Sequence, residues 1–150
     1  MVKSIFEFYK KIVPFGDAKR VSSNWSTGTV PNIELEADNT NTVFARAVTF
    51  AMSDDFAFTG TITITDGNSI SDISIGSVEE LLAYCTEIRP LAVPTATNRI
   101  WGTIEFSPPL YAAKVGGLKI TVGGTPTISA GTISLVINGW QILDSELEET

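Results

Sequence analysis

The chain contains no histidine and a single cysteine, Cys85. Without imidazole, His–Cys zinc sites, Ser–His–Asp triads and imidazole acid–base catalysis are excluded. One cysteine cannot form an intrachain disulfide, which fits a reducing compartment or a protein stable without bridges. Cys85 lies in an apolar helical stretch and reads as a buried structural thiol. Cations are also scarce, with ten Lys and Arg against 17 Asp and Glu and a net charge of −7. That balance argues against a nucleic-acid-binding body. No apolar run is long enough to span a bilayer as a helix. Lys10 and Lys11 interrupt the place where a signal peptide would carry its apolar region, and no small-residue cleavage site follows. Asn24-Trp25-Ser26 fits a glycosylation sequon, which means little without a secretory route.

What is present has a two-part grammar. At 150 residues, with a 43% hydrophobic fraction, the chain is sized for one domain. A chain of this length buries roughly 70% of its unfolded surface, enough for a core without staples. Residues 1–13 carry a helical period. Val2, Ile5, Phe6, Tyr9, Ile12 and Val13 form one apolar stripe, with Lys3, Lys10 and Lys11 off it. Burial of six such side chains at roughly 1.5–3 kcal/mol each is ample for docking, before ordering entropy is subtracted. Pro14 and Gly16-Asp17 end this arm, and residues 17–28 read as an irregular connector. Arm and connector (1–28) are basic through Lys3, Lys10, Lys11, Lys19 and Arg20. The tail (144–150) is acidic through Asp144, Glu146, Glu148 and Glu149. Such polarity favours head-to-tail contacts between copies, or contact of the arm with an anionic surface.

Residues 29–143 carry a strand period in about eight runs. Residues 29–37 alternate through Ile33, Leu35 and Ala37. Residues 42–52 place Phe44, Val48, Phe50 and Met52 on one side, with Arg46 interrupting it. Residues 56–65 read as one strand, with Phe56, Phe58, Ile62 and Ile64 on one face and threonines opposite. Asp66-Gly67-Asn68 signals a turn before a short strand at 70–75. Ser77 and Glu80 form a capping box for a helix over 78–87. Strands follow at 88–93, where Pro90 and Pro94 favour an edge, and at 98–106. Pro108-Pro109 reads as a loop. Strands at 117–123 and 131–143 close the chain, the last with a turn or bulge at Asn138-Gly139. This spacing predicts an all-β, antiparallel, two-sheet sandwich with one short helix.

Chemical motifs are weak. Asp54-Asp55 and Asp66-Gly67-Asn68 lack calcium-loop spacing and read as turns. Glu34, Glu36 and Glu105 are the carboxylates a glycosidase pair would use, but exposed strand carboxylates are the simpler reading. Gly116-Gly117 and Gly123-Gly124 are followed by no Lys-Ser/Thr and read as turns. No catalytic, cofactor or metal set is predicted, and the chain is read as non-enzymatic. Trp25 and Trp101 are candidate surface aromatics. An exposed Trp101 beside Trp140 would favour a carbohydrate-binding or adhesive module, at a cell surface or in the cytoplasm.

Three features together resemble the small jelly-roll capsid subunits of viruses and phages. They are the arm Lys3–Arg20, the threonine-rich run Thr59–Thr65, and the closing strand Ile133–Leu143 with its Asn138-Gly139-Trp140 ending. The resemblance implies a jelly-roll-like sandwich that assembles with copies of itself and other structural proteins in a virion. Its arm would reach a neighbouring subunit or a membrane. The acidic balance departs from capsids whose arms bind genome through long Arg-rich tracts, so sequence-specific nucleic acid is not an expected partner.

Overall fold

A computed structural model of the chain describes residues 17–36, 41–66, 72–90, 100–112 and 119–143. In order they form β1 (Asp17–Trp25), β2 (Ile33–Glu36), β3 (Asn41–Met52), β4 (Ala57–Thr59), β5 (Ile62–Thr65) and β6 (Ile73–Ile75). Then come α1 (Val78–Ala83), β7 (Glu87–Pro90), β8 (Ile100–Ala112), β9 (Lys119–Gly124), β10 (Thr127–Ala130) and β11 (Ile133–Leu143). The fold is all-β and antiparallel. One sheet has the order β1-β11-β3-β8-β7, a second β2-β9-β5-β6, and β10 pairs with β4. The predicted arm at 2–13, the Gly67-Asn68 half of the turn, Gly116-Gly117 and the acidic tail lie outside the described residues.

Period-two alternation builds the core. Ile33 and Leu35, Ile62 and Ile64, Ile120 and Val122, and Ile133, Leu135 and Ile137 enter one cluster with Val48, Phe50 and Met52. All three sheets contribute to it, so burial of these aliphatics, at roughly 1.5–3 kcal/mol each, ties them together.

Several expectations are corrected. Residues 17–25 are not an irregular connector. They form edge strand β1, paired with β11 from Asp17↔Gln141 to Trp25↔Ile133. Its polar sequence hid it, because an edge strand needs few apolar residues and is protected by charge. Lys19 and Arg20 therefore belong to the sheet and not to the arm. The run 56–65 is two strands. Gly60, at φ 83°, turns the chain, sending β4 to β10 and β5 to β9 and β6. A side chain there would strike the Thr125 carbonyl. Strand β10 itself lies between the strands expected at 117–123 and 131–143, where only a turn was expected.

Strand β8 runs through Pro108-Pro109. Pairing with β3 passes from Ala47↔Glu105 to Ala45↔Leu110, so the two prolines fall in a stretch with no partner on β3. Their missing N–H groups cost no ladder bond there. Helix α1 stops at Ala83 and not at 87. Its capping geometry is as expected, with Ser77 Oγ accepting from the Glu80 N–H at 3.1 Å. Glu80 Oε2 accepts from the Gly76 N–H at 2.9 Å. The Thr86 N–H then donates to the Thr103 carbonyl at 2.8 Å and draws the chain into β7, an edge strand of its sheet.

Candidate functional site

Arg46, the residue that breaks the pattern of β3, is its bulge residue. Against β11 the pairing steps from Ala47↔Asn138 to Ala45↔Gly139, leaving Arg46 unpaired. A bulge reverses the phase of a strand. Val48, Phe50 and Met52 face the core after it, and Val43 and Ala45 before it. Phe44 therefore points to the other face, correcting the expectation that it shares a side with Val48.

On that outer face the register sets Phe44 opposite Trp140 on one side and Tyr111 on the other. Phe44 and Trp140 stack at 5.3 Å between centroids, and Phe44 and Tyr111 meet at 6.3 Å. The Arg46 guanidinium carbon lies 5.7 Å from the centroid of the Trp140 ring, within cation–π range. Trp140 and Ile142 are buried yet are not members of the core cluster. The outer face thus carries a small apolar patch of its own.

Beside the patch runs an open groove of about 480 Å³, lined by Arg20, Arg46, Thr49, Thr103, Glu105 and Asn138. Asn138 Nδ2 donates to Thr49 Oγ1 at 3.1 Å across the strands. Thr103 Oγ1 and Trp140 Nε1 are buried without a hydrogen-bond partner among the described residues.

The other predicted site residues are dispersed. Trp25 is no surface aromatic: it is fully buried, and its Nε1 donates to the Pro31 carbonyl at 2.9 Å. Trp101 is half-buried on β8, opposite Ala51 of β3, while Trp140 pairs with Phe44. The two indoles therefore sit roughly 20 Å apart along the sheet and form no shared platform. Glu34 and Glu36 do share a face of β2, but Glu105 belongs to the other sheet. Lys119 of β9 lies 3.0 Å from Glu34 and 3.4 Å from Glu36. Its ammonium, chiefly through the hydrogen bond to Glu34, holds that carboxyl below the usual range, and the Lys119 pKa rises in turn. Lys19 Nζ donates to the Glu36 carbonyl and to Gln141 Oε1, each at 3.3 Å, fastening β1 to β2.

Cys85 is half-buried against the core. Its thiol donates to the Leu81 carbonyl at 3.3 Å. Burial pushes its pKa up, partly offset by a backbone hydrogen bond at Thr103. No group of three or more metal-ligating side chains converges among the described residues.

Sequence reasoning did not foresee the outer patch. Its signals were the Arg46 interruption and Asn138-Gly139, the two irregularities that meet at the bulge. The chain matches no protein-family model, no curated protein and no solved structure.

Proposed function

We propose that this protein is a non-catalytic structural subunit that self-assembles, in a virion capsid or as a capsid-associated protein. On this reading the two larger sheets are the layers of a jelly-roll-like sandwich. The chain crosses between them from β2 to β3 and from β8 to β9, and both face one core. The residues 2–13 arm makes contacts outside that core, with a neighbouring subunit or a membrane, and sequence-specific nucleic acid is not a partner.

The observation that carries the reading is the outer face of the five-stranded sheet. It carries the exposed Tyr111 and Arg46 beside the stacked Phe44–Trp140 pair, where the chain enters β1 from the arm. Aromatic and arginine side chains are the ones enriched at protein interfaces. A stable contact between copies needs at least about 1,000 Å² of buried surface.

Native mass spectrometry across a salt series tests this. Oligomers that weaken as salt rises are expected, because the basic arm and acidic tail supply part of the contact. A monomer at every concentration and salt overturns the reading.

A further inference from the structure

The outer patch is deeply buried. Trp140 is 8% exposed, Ile142 3% and Thr42 5%. Ile142 pairs with Thr42, and Trp140 with Phe44, so the four form one block at the end of the sheet where β1 begins and β11 finishes. The core cluster lies on the opposite face. The flanking side chains in the sheet, Ala18 on β1 and Tyr111 on β8, are themselves exposed. The block is therefore an apolar surface at the end of the sheet on which a further segment can lie.

Topology narrows the candidates. Four segments outside the described residues attach at this end: 1–16, 37–40, 113–118 and 144–150. Residues 37–40 and 113–118 are short connections from one sheet to the other, and both ends of each are fixed. Residues 144–150 are mostly acidic, with Leu147 their one large apolar residue. Residues 1–16 alone bring a row of large apolar side chains: Val2, Ile5, Phe6, Tyr9, Ile12 and Val13. They enter β1 at Asp17, and the next residue, Ala18, pairs with Trp140.

Charge points the same way. Strands β1 and β11 are antiparallel neighbours, so the basic arm and the acidic tail leave the sheet side by side. An arm lying across Trp140 keeps Lys3, Lys10 and Lys11 close to Asp144, Glu146, Glu148 and Glu149.

We infer that the apolar block of Trp140, Phe44, Ile142 and Thr42 is the seat of the chain's own N-terminal arm, which lies on it through the Ile5-Phe6-Tyr9-Ile12 stripe. The inference goes beyond the assembly reading by naming the receptor of the arm. Exchange of arms between copies would put the same stripe on the same block of a neighbour, so one seat serves free and assembled subunits.

The test uses the full chain, in a Cys85→Ser background, at a concentration where native mass shows a monomer. A nitroxide is attached at Lys10→Cys, off the apolar stripe, and the indole N–H signals are followed by NMR. The seat predicts that the Trp140 signal is broadened away while the Trp101 signal, at the far end of the sheet, stays sharp. Adding Phe6→Glu to the same labelled chain should restore the Trp140 signal. A Trp140 signal that stays sharp without Phe6→Glu overturns the seat. So does one broadened only when labelled chains are mixed with isotope-enriched unlabelled ones, since the arm then binds only a neighbour. The assembly reading is judged separately, by the mass of the particle.

Discussion

Phe44 and Trp140 lie face to face, 5.3 Å apart with their planes 7° from parallel, on the sheet surface turned away from the core. The pairing depends on the Arg46 bulge, because an unbroken β3 would turn Phe44 inward with Val48. Stacked aromatic pairs are worth about 0.5–1.5 kcal/mol beyond the area they bury. Phe44→Ala and Trp140→Ala should therefore be less than additive. Urea unfolding of the two single variants and the double variant should return a coupling of about 0.5–1.5 kcal/mol. A coupling indistinguishable from zero would show that the rings do not stack.

Gly102 sets how closely β8 approaches Phe50 of the core and Cys85, just past the end of α1. A Cβ at this position would lie 2.5 Å from Phe50 Cζ and 3.1 Å from Cys85 Sγ. Both neighbours are held, Phe50 by the core cluster and Cys85 by its bond to Leu81. Gly102→Ala should cost about 1–3 kcal/mol, the range for overpacking a filled core. Phe50→Leu in the same chain should recover part of that loss, because it removes the ring atoms nearest the new methyl. A Gly102→Ala chain as stable as the parent in chemical unfolding would refute the close approach.

The sequence-level reading succeeded where burial is one-sided. Ile62 and Ile64, Ile120 and Val122, and Ile133, Leu135 and Ile137 alternate cleanly, and all face the core. It failed where pairing and burial do not require alternation. Strand β1 holds its place by a full ladder to β11, and a ladder of backbone groups leaves no mark on side-chain pattern. The prolines of β8 look like a loop until the register shows that residues 106–109 have no partner on β3, so that their missing N–H groups cost no ladder bond. The outer patch was hidden for a related reason. Phe44 and Trp140 belong together only once β11 is placed in register with the bulged β3, and register is a property of the sheet.

Lys119 bridges Glu34 and Glu36 on the exposed face of β2. The hydrogen bond from Lys119 stabilises the ionised Glu34, so its folded pKa lies below the ordinary 4.5. A carboxyl depressed on folding contributes stability above its unfolded pKa and loses it as pH falls through the folded one. The window is therefore acidic, below about pH 4.5, the ordinary value of the group. All three side chains are exposed to solvent, so the contribution to stability is small and screened by salt. An NMR titration of the Glu34 carboxyl carbon reads the effect directly. The midpoint should lie below 4.5 at low salt, rise in Lys119→Met, and rise partway in concentrated salt. Lys119→Met should also flatten the acid limb of the stability curve slightly. A Glu34 midpoint that does not move in Lys119→Met would show that this ion pair does not hold the two strands in solution.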